Sequence, residues 1–133
     1  MKFRKFAQNK LWRDKLVEKG QNEGSKLYFL KLDDKEFIEQ LKIKLLEEAN
    51  EVHTASTKKE LLEELADVLE VINSFCNVNK FSLQDIIDVQ TKKYQERGGF
   101  DGRNFITYAE HPEGSFGEKY CLNDPEKYPE IKD

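Results

Sequence analysis

Acidic side chains recur at helical spacing in two neighbouring stretches of the sequence. Glu47, Glu48 and Glu51 lie in the first stretch, and Glu64 and Asp67 lie in the second. Carboxylates on long helices ordinarily form a solvated face, so their direction decides whether they can do chemistry. Carboxylates that converge repel one another unless a hard cation neutralises them, and an all-oxygen cluster suits Mg²⁺ or Mn²⁺ rather than zinc.

The apolar residues around the first stretch define the direction of its acids. At about 100° per residue, the apolar positions of residues 37–52 form one stripe centred on Leu41. Glu48 falls inside this stripe, Glu51 lies at one edge, about 80° from the centre, and Glu47 lies slightly farther round on the same side. A buried Glu without compensation is costly, so Glu48 needs a partner.

The second stretch has the same arrangement around a stripe centred on Leu61. Glu64 lies at the equivalent edge, and Asp67 follows at about 120° on that side. Glu63 and Glu70 point away from the apolar stripe, and we interpret them as solvated.

The link between the two stretches brings the acidic edges together. Residues 55–57 form a short connection, which makes the two helices antiparallel neighbours. In an antiparallel pair, the acidic edge of the first helix faces the equivalent acidic edge of the second. Helical phase therefore predicts one metal-binding cluster, with Mg²⁺ as the first choice, formed by Glu48, Glu51, Glu64 and Asp67.

The elements that carry these acids are predicted to be helices. The same capping device, an N-cap side chain followed three residues later by an acid, occurs at Asp33 to Glu36, Thr57 to Glu60 and Ser82 to Asp85. It predicts helices at 34–55, 58–78 and 83–97, with a shorter one at 10–19 that ends at Gly20. Most glycines and all the prolines follow Arg97, which predicts an irregular tail from residue 98. The expected fold is all-α, an antiparallel bundle of about four helices.

Composition limits the class of protein. The chain has 133 residues, 22 Lys and Arg against 26 Asp and Glu, and a net charge of -4, so general attraction to nucleic acid or to an anionic membrane is not expected. No apolar run approaches the ~20 residues that span a bilayer, and the first ten residues do not resemble a secretory signal, so a cytoplasmic location is expected. Cys76 and Cys121 have no zinc-ligand spacing and are expected to be free thiols.

The sequence Glu47-Glu48-Ala49-Asn50-Glu51, followed after twelve residues by Glu64-Leu65-Ala66-Asp67, resembles the EExxE and ExxD motifs of MazG-like all-α nucleotide pyrophosphohydrolases. A second block, from Asn9 to Leu16, is similar to the NKLVRDKI opening of a small branch of house-cleaning enzymes for noncanonical triphosphates, with Trp12 in place of a small aliphatic residue. With Glu96-Arg97-Gly98-Gly99-Phe100, the resemblance covers residues 9–100. It implies a helical domain over residues 1–100 and an extension over 101–133 that packs on the domain or on a partner subunit.

The resemblance also implies an activity and an assembly. The expected reaction is Mg²⁺-dependent cleavage of a nucleoside triphosphate between its α and β phosphates, in a homo-oligomer that is a dimer or a tetramer. The four clustered acids would bind the metal, and Glu47, beside them, is the candidate that activates water. The family blocks supply the basic residues expected to bind phosphate, which are Lys10, Arg13, Lys15, Lys93 and Arg97.

Two alternatives share these features. A phosphoribosyl-ATP pyrophosphohydrolase would have the same carboxylates and break the same bond, although the Asn9 to Leu16 block weighs against it. A non-catalytic helical bundle that binds a partner or senses nucleotides would have the acids only as a solvated stripe. Release of pyrophosphate with Mg²⁺ discriminates between an enzyme and such a bundle.

Overall fold

The computed structural model describes residues 2–133, and this part of the chain contains no β-strand. Its helices are α1 (Asp14–Asn22), α2 (Asp34–Thr54), α3 (Lys58–Asn79), α4 (Leu83–Arg97) and α5 (Phe116–Leu122). The all-α prediction is confirmed, and the predicted bounds of α2, α3 and α4 agree with the observed ones to within a residue. None of the helices within residues 2–133 is long and apolar enough to cross a membrane.

Local hydrogen bonds begin the helices where the capping pattern predicts. At α2, the Glu36 backbone N–H donates to the Asp33 carboxylate at 2.8 Å, and the Asp33 N–H donates back to Glu36 at 3.4 Å. Ser82 and Asp85 form the same reciprocal pair ahead of α4, at 3.1 and 2.8 Å. Each pair satisfies two backbone donors that the first helical turn leaves without partners.

The cap of α3 differs in one bond. The Glu60 N–H donates to Thr57 Oγ1 at 3.1 Å, as predicted. The Glu60 carboxylate, however, accepts from the backbone N–H and the hydroxyl of Ser56, at 3.0 and 3.1 Å, rather than from Thr57. These bonds lower the pKa of Glu60, the backbone bond from Ser56 most of all.

The first helix is displaced from its predicted position. α1 begins at Asp14 rather than near Lys10, because Arg13 ahead of it has an extended backbone. Gly20 does not end the helix: the Trp12 ring and the Leu27 side chain lie against it, and the helix continues to Asn22. Gly24, with φ of 98°, occupies the left-handed conformation that terminates it.

α2 and α3 form an antiparallel pair. The short link at residues 55–57 reverses the chain direction, and Glu51 near the end of α2 lies beside Glu64 near the start of α3. Of the predicted bundle, the described part of the first unit shows this pair, and neither α1 nor α4 packs against it as a helix. The buried apolar core is correspondingly small and comprises Leu41, Val71 and Cys76.

The predicted stripe of α3 is covered mainly in its second half: Cys76 is buried, and Leu61 and Leu65 are exposed. Val71, on the acidic side of the stripe, is 6% exposed, whereas Leu61 at its predicted centre is 39% exposed. One neighbouring helix covers only part of the circumference of α3, and the covered part includes the acidic edge. The uncovered part, named here the leucine face, consists of Leu61, Leu62, Leu65 and Leu69, all exposed.

The chain divides into two compact units, the first reaching Gln95 and the second covering Glu96–Asp133. The prediction that the tail holds no helix is wrong for α5, which lies in the second unit. Its N-cap, Ser115, accepts from the Glu118 N–H at 3.3 Å, so the same capping spacing that marked α2 to α4 also marked α5. The Tyr120 ring lies between Phe116 and Tyr128, with ring centroids 5.9 and 5.6 Å away.

Both cysteines are free, as expected. Cys76 is buried on α3, and Cys121 lies half-buried in α5. No disulfide therefore links the elements that they belong to.

Candidate metal centre

Four carboxylates meet where α2 lies against α3. Glu48 and Glu51 project from α2 and Glu64 and Asp67 from α3, and one oxygen of each lies within 4.8 Å of the others. We call these four side chains the carboxylate cluster. The antiparallel arrangement produces it, because residues one helical turn apart on each helix face each other in pairs. The convergence predicted from helical phase is thus observed in the structure.

Burial gives the cluster its chemical character. Glu48 is 6% exposed, and its Oε2 has no hydrogen-bond donor. Glu64 Oε2 is likewise buried without a donor. Buried polar atoms are nearly always satisfied, and leaving a carboxylate oxygen without a partner is costly. A hard cation bound among four carboxylate oxygens would satisfy both atoms, so the residues fit the metal that the sequence predicts.

The crowding of negative charge is visible in the protonation equilibria. Burial is the largest cause that raises the pKa of Glu48. The negative charge of Glu51 follows, and then the hydrogen bond that the protonated Glu48 carboxyl donates to Glu51. The pKa of Glu51 is also raised, mainly because its protonated carboxyl donates a hydrogen bond to Glu64, and next because of burial. Glu48 and Glu51 therefore resist ionisation when no cation is bound.

A lysine that sequence reasoning overlooked contacts this site. Lys44 Nζ lies 3.5 Å from Glu48 Oε1 and 3.6 Å from Glu47 Oε2. It lowers the pKa of Glu48, but by less than burial and the neighbouring acids raise it. The signal was present in the sequence, because Lys44 precedes Glu48 by four residues on the same helix and such residues are neighbours.

Two of the five predicted phosphate-binding residues reach the acidic stretches. Arg13 Nη2 lies 2.6 Å from Asp67 Oδ1, and Lys10 Nζ lies 3.4 Å from Glu47 Oε1. Both come from the segment before α1, far from their partners in sequence. Their positions are a result of tertiary structure, since no local rule of spacing relates them to α2 or α3.

Among the residues that the structure describes, Lys15 and Lys93 form no ion pair with the carboxylate cluster. Lys15 on α1 and Lys93 on α4 are exposed, and neither forms an ion pair within the described part of the chain. Arg97 belongs to the second unit. There, a hydrogen bond between Tyr120 and Tyr128 is the main cause that raises the pKa of Tyr120, and the positive charge of Arg97 lowers this pKa slightly.

Glu47 lies beside the carboxylate cluster without belonging to it. Lys10 and Lys44 each contact one of its oxygens. Glu51 follows Glu47 by four residues on the same helix, and the charge of Glu47 contributes to the raised pKa of Glu51, after the larger effects of Glu64 and burial. Glu63 and Glu70, predicted to be solvated, are exposed.

Residues 37–99 match the family model for the MazG nucleotide pyrophosphohydrolase domain. The match includes the whole carboxylate cluster and Glu47, whereas Lys10 and Arg13 precede it. A search of curated proteins and a search of solved structures each found no match to the chain. The matched segment and the acidic motifs lead to the same assignment: residues 37–99 of this chain belong to the MazG-like superfamily of nucleotide pyrophosphohydrolases.

Proposed function

We propose that the chain is an enzyme that hydrolyses a nucleoside triphosphate to the nucleoside monophosphate and pyrophosphate, with Mg²⁺, or Mn²⁺ in its place. One observation carries the proposal: four carboxylates converge inside the segment that matches a nucleotide pyrophosphohydrolase domain, with two buried oxygens that lack any donor. A merely solvated acidic stripe would not bury Glu48.

The carboxylate cluster would hold the ion. A bound Mg²⁺ neutralises charge on the phosphate oxygens and lowers the pKa of a water molecule. Glu48 and Glu64 each direct one unpartnered oxygen into the protein, and Glu51 and Asp67 complete an all-oxygen set. This donor set is hard and anionic, which favours Mg²⁺ or Mn²⁺ over zinc.

We assign proton transfer to Glu47. As water attacks phosphorus, the bond between the α and β phosphates breaks, pyrophosphate departs with the electron pair, and the water proton passes to the Glu47 carboxylate. Glu47 suits this role because it lies next to the cluster but is not one of the four oxygens that meet there. Lys10 Nζ lies 3.4 Å from Glu47 Oε1, and Lys44 Nζ lies 3.6 Å from Glu47 Oε2.

The phosphate charge requires cations from the protein. Arg13 and Lys10 already lie at the edge of the acidic site, so they are the first residues that we assign to phosphate binding. Lys15, Lys93 and Arg97 complete the proposed set on the strength of the family blocks alone.

We further propose that the substrates include noncanonical nucleotides and that the enzyme is a homo-oligomer, a dimer or a tetramer. The block from Asn9 to Leu16 supports the substrate class, since it resembles the opening of the house-cleaning branch. The leucine face supports the assembly: it is apolar and exposed on a unit with a very small core, and a second copy of the chain would cover it. Residues 101–133 would pack on the domain or on the partner copy.

The decisive test is a screen of canonical and noncanonical triphosphates, with phosphoribosyl-ATP included, in which pyrophosphate and the monophosphate are both quantified. We expect equal amounts of the two products with Mg²⁺ and none with a chelator. Strong preference for phosphoribosyl-ATP would favour the alternative of a phosphoribosyl-ATP pyrophosphohydrolase. Failure to turn over any of these nucleotides with Mg²⁺ would favour the non-catalytic bundle.

A further inference from the structure

Arg13 joins the N-terminal segment to the carboxylate cluster. Its Nη2 donates to Asp67 Oδ1 at 2.6 Å, a short, charge-assisted hydrogen bond between residues 54 positions apart. Asp67 is one of the four acids whose oxygens meet at the proposed metal centre. A cation of the protein therefore already pairs with a carboxylate that the metal requires.

We propose that Arg13 is an exchangeable counterion: it competes with the divalent cation for Asp67 in the free protein, and it transfers to a phosphate of the nucleotide when metal and nucleotide are bound together. This inference rests on the proposed function, because it assumes that Asp67 is a metal ligand and that the substrate carries phosphates. It assigns Arg13 two successive partners rather than one.

Electrostatics explains why the exchange should occur. A divalent cation placed at Asp67 is repelled by the guanidinium bonded to that carboxylate, whichever of the two oxygens coordinates the ion. The nucleotide brings several negative charges, and a phosphate accepts the same planar, two-pronged donor that a carboxylate accepts. Phosphate binding thus gives Arg13 a new partner and frees Asp67 for the metal, so metal and nucleotide should assist each other's binding.

The surroundings of Arg13 permit this movement. Its side chain is 55% exposed and that of Asp67 is 37% exposed, so a new rotamer needs no opening of a packed core. The backbone stays anchored, because Arg13 immediately precedes α1 and the neighbouring Trp12 ring lies against Gly20. Lys10 is a poorer candidate for the same role, since it pairs at 3.4 Å with Glu47, outside the cluster.

The test compares wild-type protein with Arg13→Gln, Arg13→Lys and, as a matched control, Arg4→Gln. Arg4 lies in the same segment but stacks over the Phe6 ring, 5.4 Å from its centroid. Binding of Mn²⁺ alone, followed by electron paramagnetic resonance, should tighten about two- to fivefold in Arg13→Gln, the range expected for removing an exposed ion pair. Arg13→Lys and Arg4→Gln should bind Mn²⁺ nearly as the wild type does.

The second half of the test uses inorganic pyrophosphate at saturating Mg²⁺, measured by isothermal titration calorimetry at constant ionic strength. Arg13→Gln should bind pyrophosphate about tenfold more weakly, as for the loss of a hydrogen bond to a charged group. Arg13→Lys should lie in between, because an ammonium keeps the charge but not the planar fork. Opposite signs for metal and pyrophosphate are the signature of exchange.

The outcomes separate the two proposals. If the wild type binds Mn²⁺ but Arg13→Gln binds it equally or more weakly, Arg13 only orients Asp67 and the exchange is wrong, while the proposed function stands. If Mn²⁺ binding tightens but pyrophosphate binding is unchanged, Arg13 does not transfer to phosphate and the exchange is again wrong. If the wild type binds no Mn²⁺, the proposed function fails and this inference fails with it.

Discussion

At the scale of single residues, position on the helix separates acids that resemble one another in sequence. Glu63 and Glu64 are adjacent, yet Glu64 has a buried oxygen in the carboxylate cluster and Glu63 is exposed. The structure thereby provides matched acids, on the same helix, for testing which carboxylates do chemistry.

Removing one charge from the cluster should abolish most activity. Each substitution keeps the size of the side chain but removes a ligand, so hydrolysis should fall by roughly 10²-fold or more, as for lost stabilisation of transition-state charge. Pyrophosphate release measures the effect. The variants are Glu48→Gln, Glu51→Gln, Glu64→Gln and Asp67→Asn.

The controls are Glu63→Gln and Glu70→Gln on α3, which should retain nearly the wild-type rate. Equal loss of activity in all six variants would show that activity depends on the total negative charge of these helices and not on the four clustered acids in particular. Full activity and unchanged Mg²⁺ dependence in the four cluster variants would remove the metal centre from the proposal.

Glu48 should also make stability depend on pH when no metal is bound. Burial, then Glu51, raises its pKa in the folded state, so the folded protein holds a proton that the unfolded chain releases at lower pH. Stability from this group is present below the ordinary pKa of Glu and is lost as pH rises through the raised value. In chelator, Glu48→Gln should therefore gain in Tm over the wild type as pH increases, and then reach a plateau.

Thermal unfolding between pH 4 and 8 measures this difference. A gain of about 2–8 °C corresponds to each kcal/mol of burial and repulsion relieved, for domains in this size range. Glu63→Gln should show no such trend, since Glu63 is exposed. A constant difference between Glu48→Gln and the wild type across this pH range would contradict the assigned protonation behaviour.

At the scale of elements, α3 depends on its cap because one tertiary neighbour supports it. Thr57 Oγ1 accepts the Glu60 N–H at 3.1 Å, so Thr57→Ala should lower the free energy of unfolding by about 0.5–2 kcal/mol. Thr91→Ala, on an exposed face of α4, changes the same chemical groups without removing a cap. It should stay within about 0.5 kcal/mol of the wild type.

Urea unfolding of the three proteins provides the measurement. Equal stability of Thr57→Ala and Thr91→Ala would mean that the Ser56 bonds to Glu60 suffice to begin α3. The comparison thus separates the contribution of the predicted bond from the Glu60 N–H to Thr57 from that of the bonds from Ser56 to the Glu60 carboxylate.

At the scale of the whole molecule, the leucine face predicts self-association. Leu62 is 71% exposed at its edge, so Leu62→Lys should place charge in the proposed interface and yield monomers. Leu46, on α2, is 72% exposed and serves as a matched leucine outside that face. Leu46→Lys should remain at least dimeric.

Light scattering over a range of concentrations measures these states. A wild-type protein that stays monomeric at every concentration would show that this face is not an interface between copies. Dissociation by Leu46→Lys with no effect of Leu62→Lys would assign the interface to α2 instead.

Local chemistry and helical periodicity were sufficient to predict much of this protein. The caps at Asp33, Thr57 and Ser82, the bounds of three helices and the convergence of the four acids all depend on neighbours within a few residues or on a constant turn per residue. Lys44, four residues before Glu48, and the cap of α5 at Ser115 followed the same rules and were predictable in principle.

Tertiary structure alone decided which leucines of α3 remain exposed, and that Arg13 pairs with Asp67 and Lys10 with Glu47. Periodicity places Leu61 and Leu65 on the same stripe as Cys76, so it could not tell which part of that stripe a neighbour covers. An irregular segment between α1 and α2 separates Arg13 and Lys10 from their partners in the sequence. No repeating geometry connects the two ends of such a segment, so only the folded path of the chain determines which charges meet there.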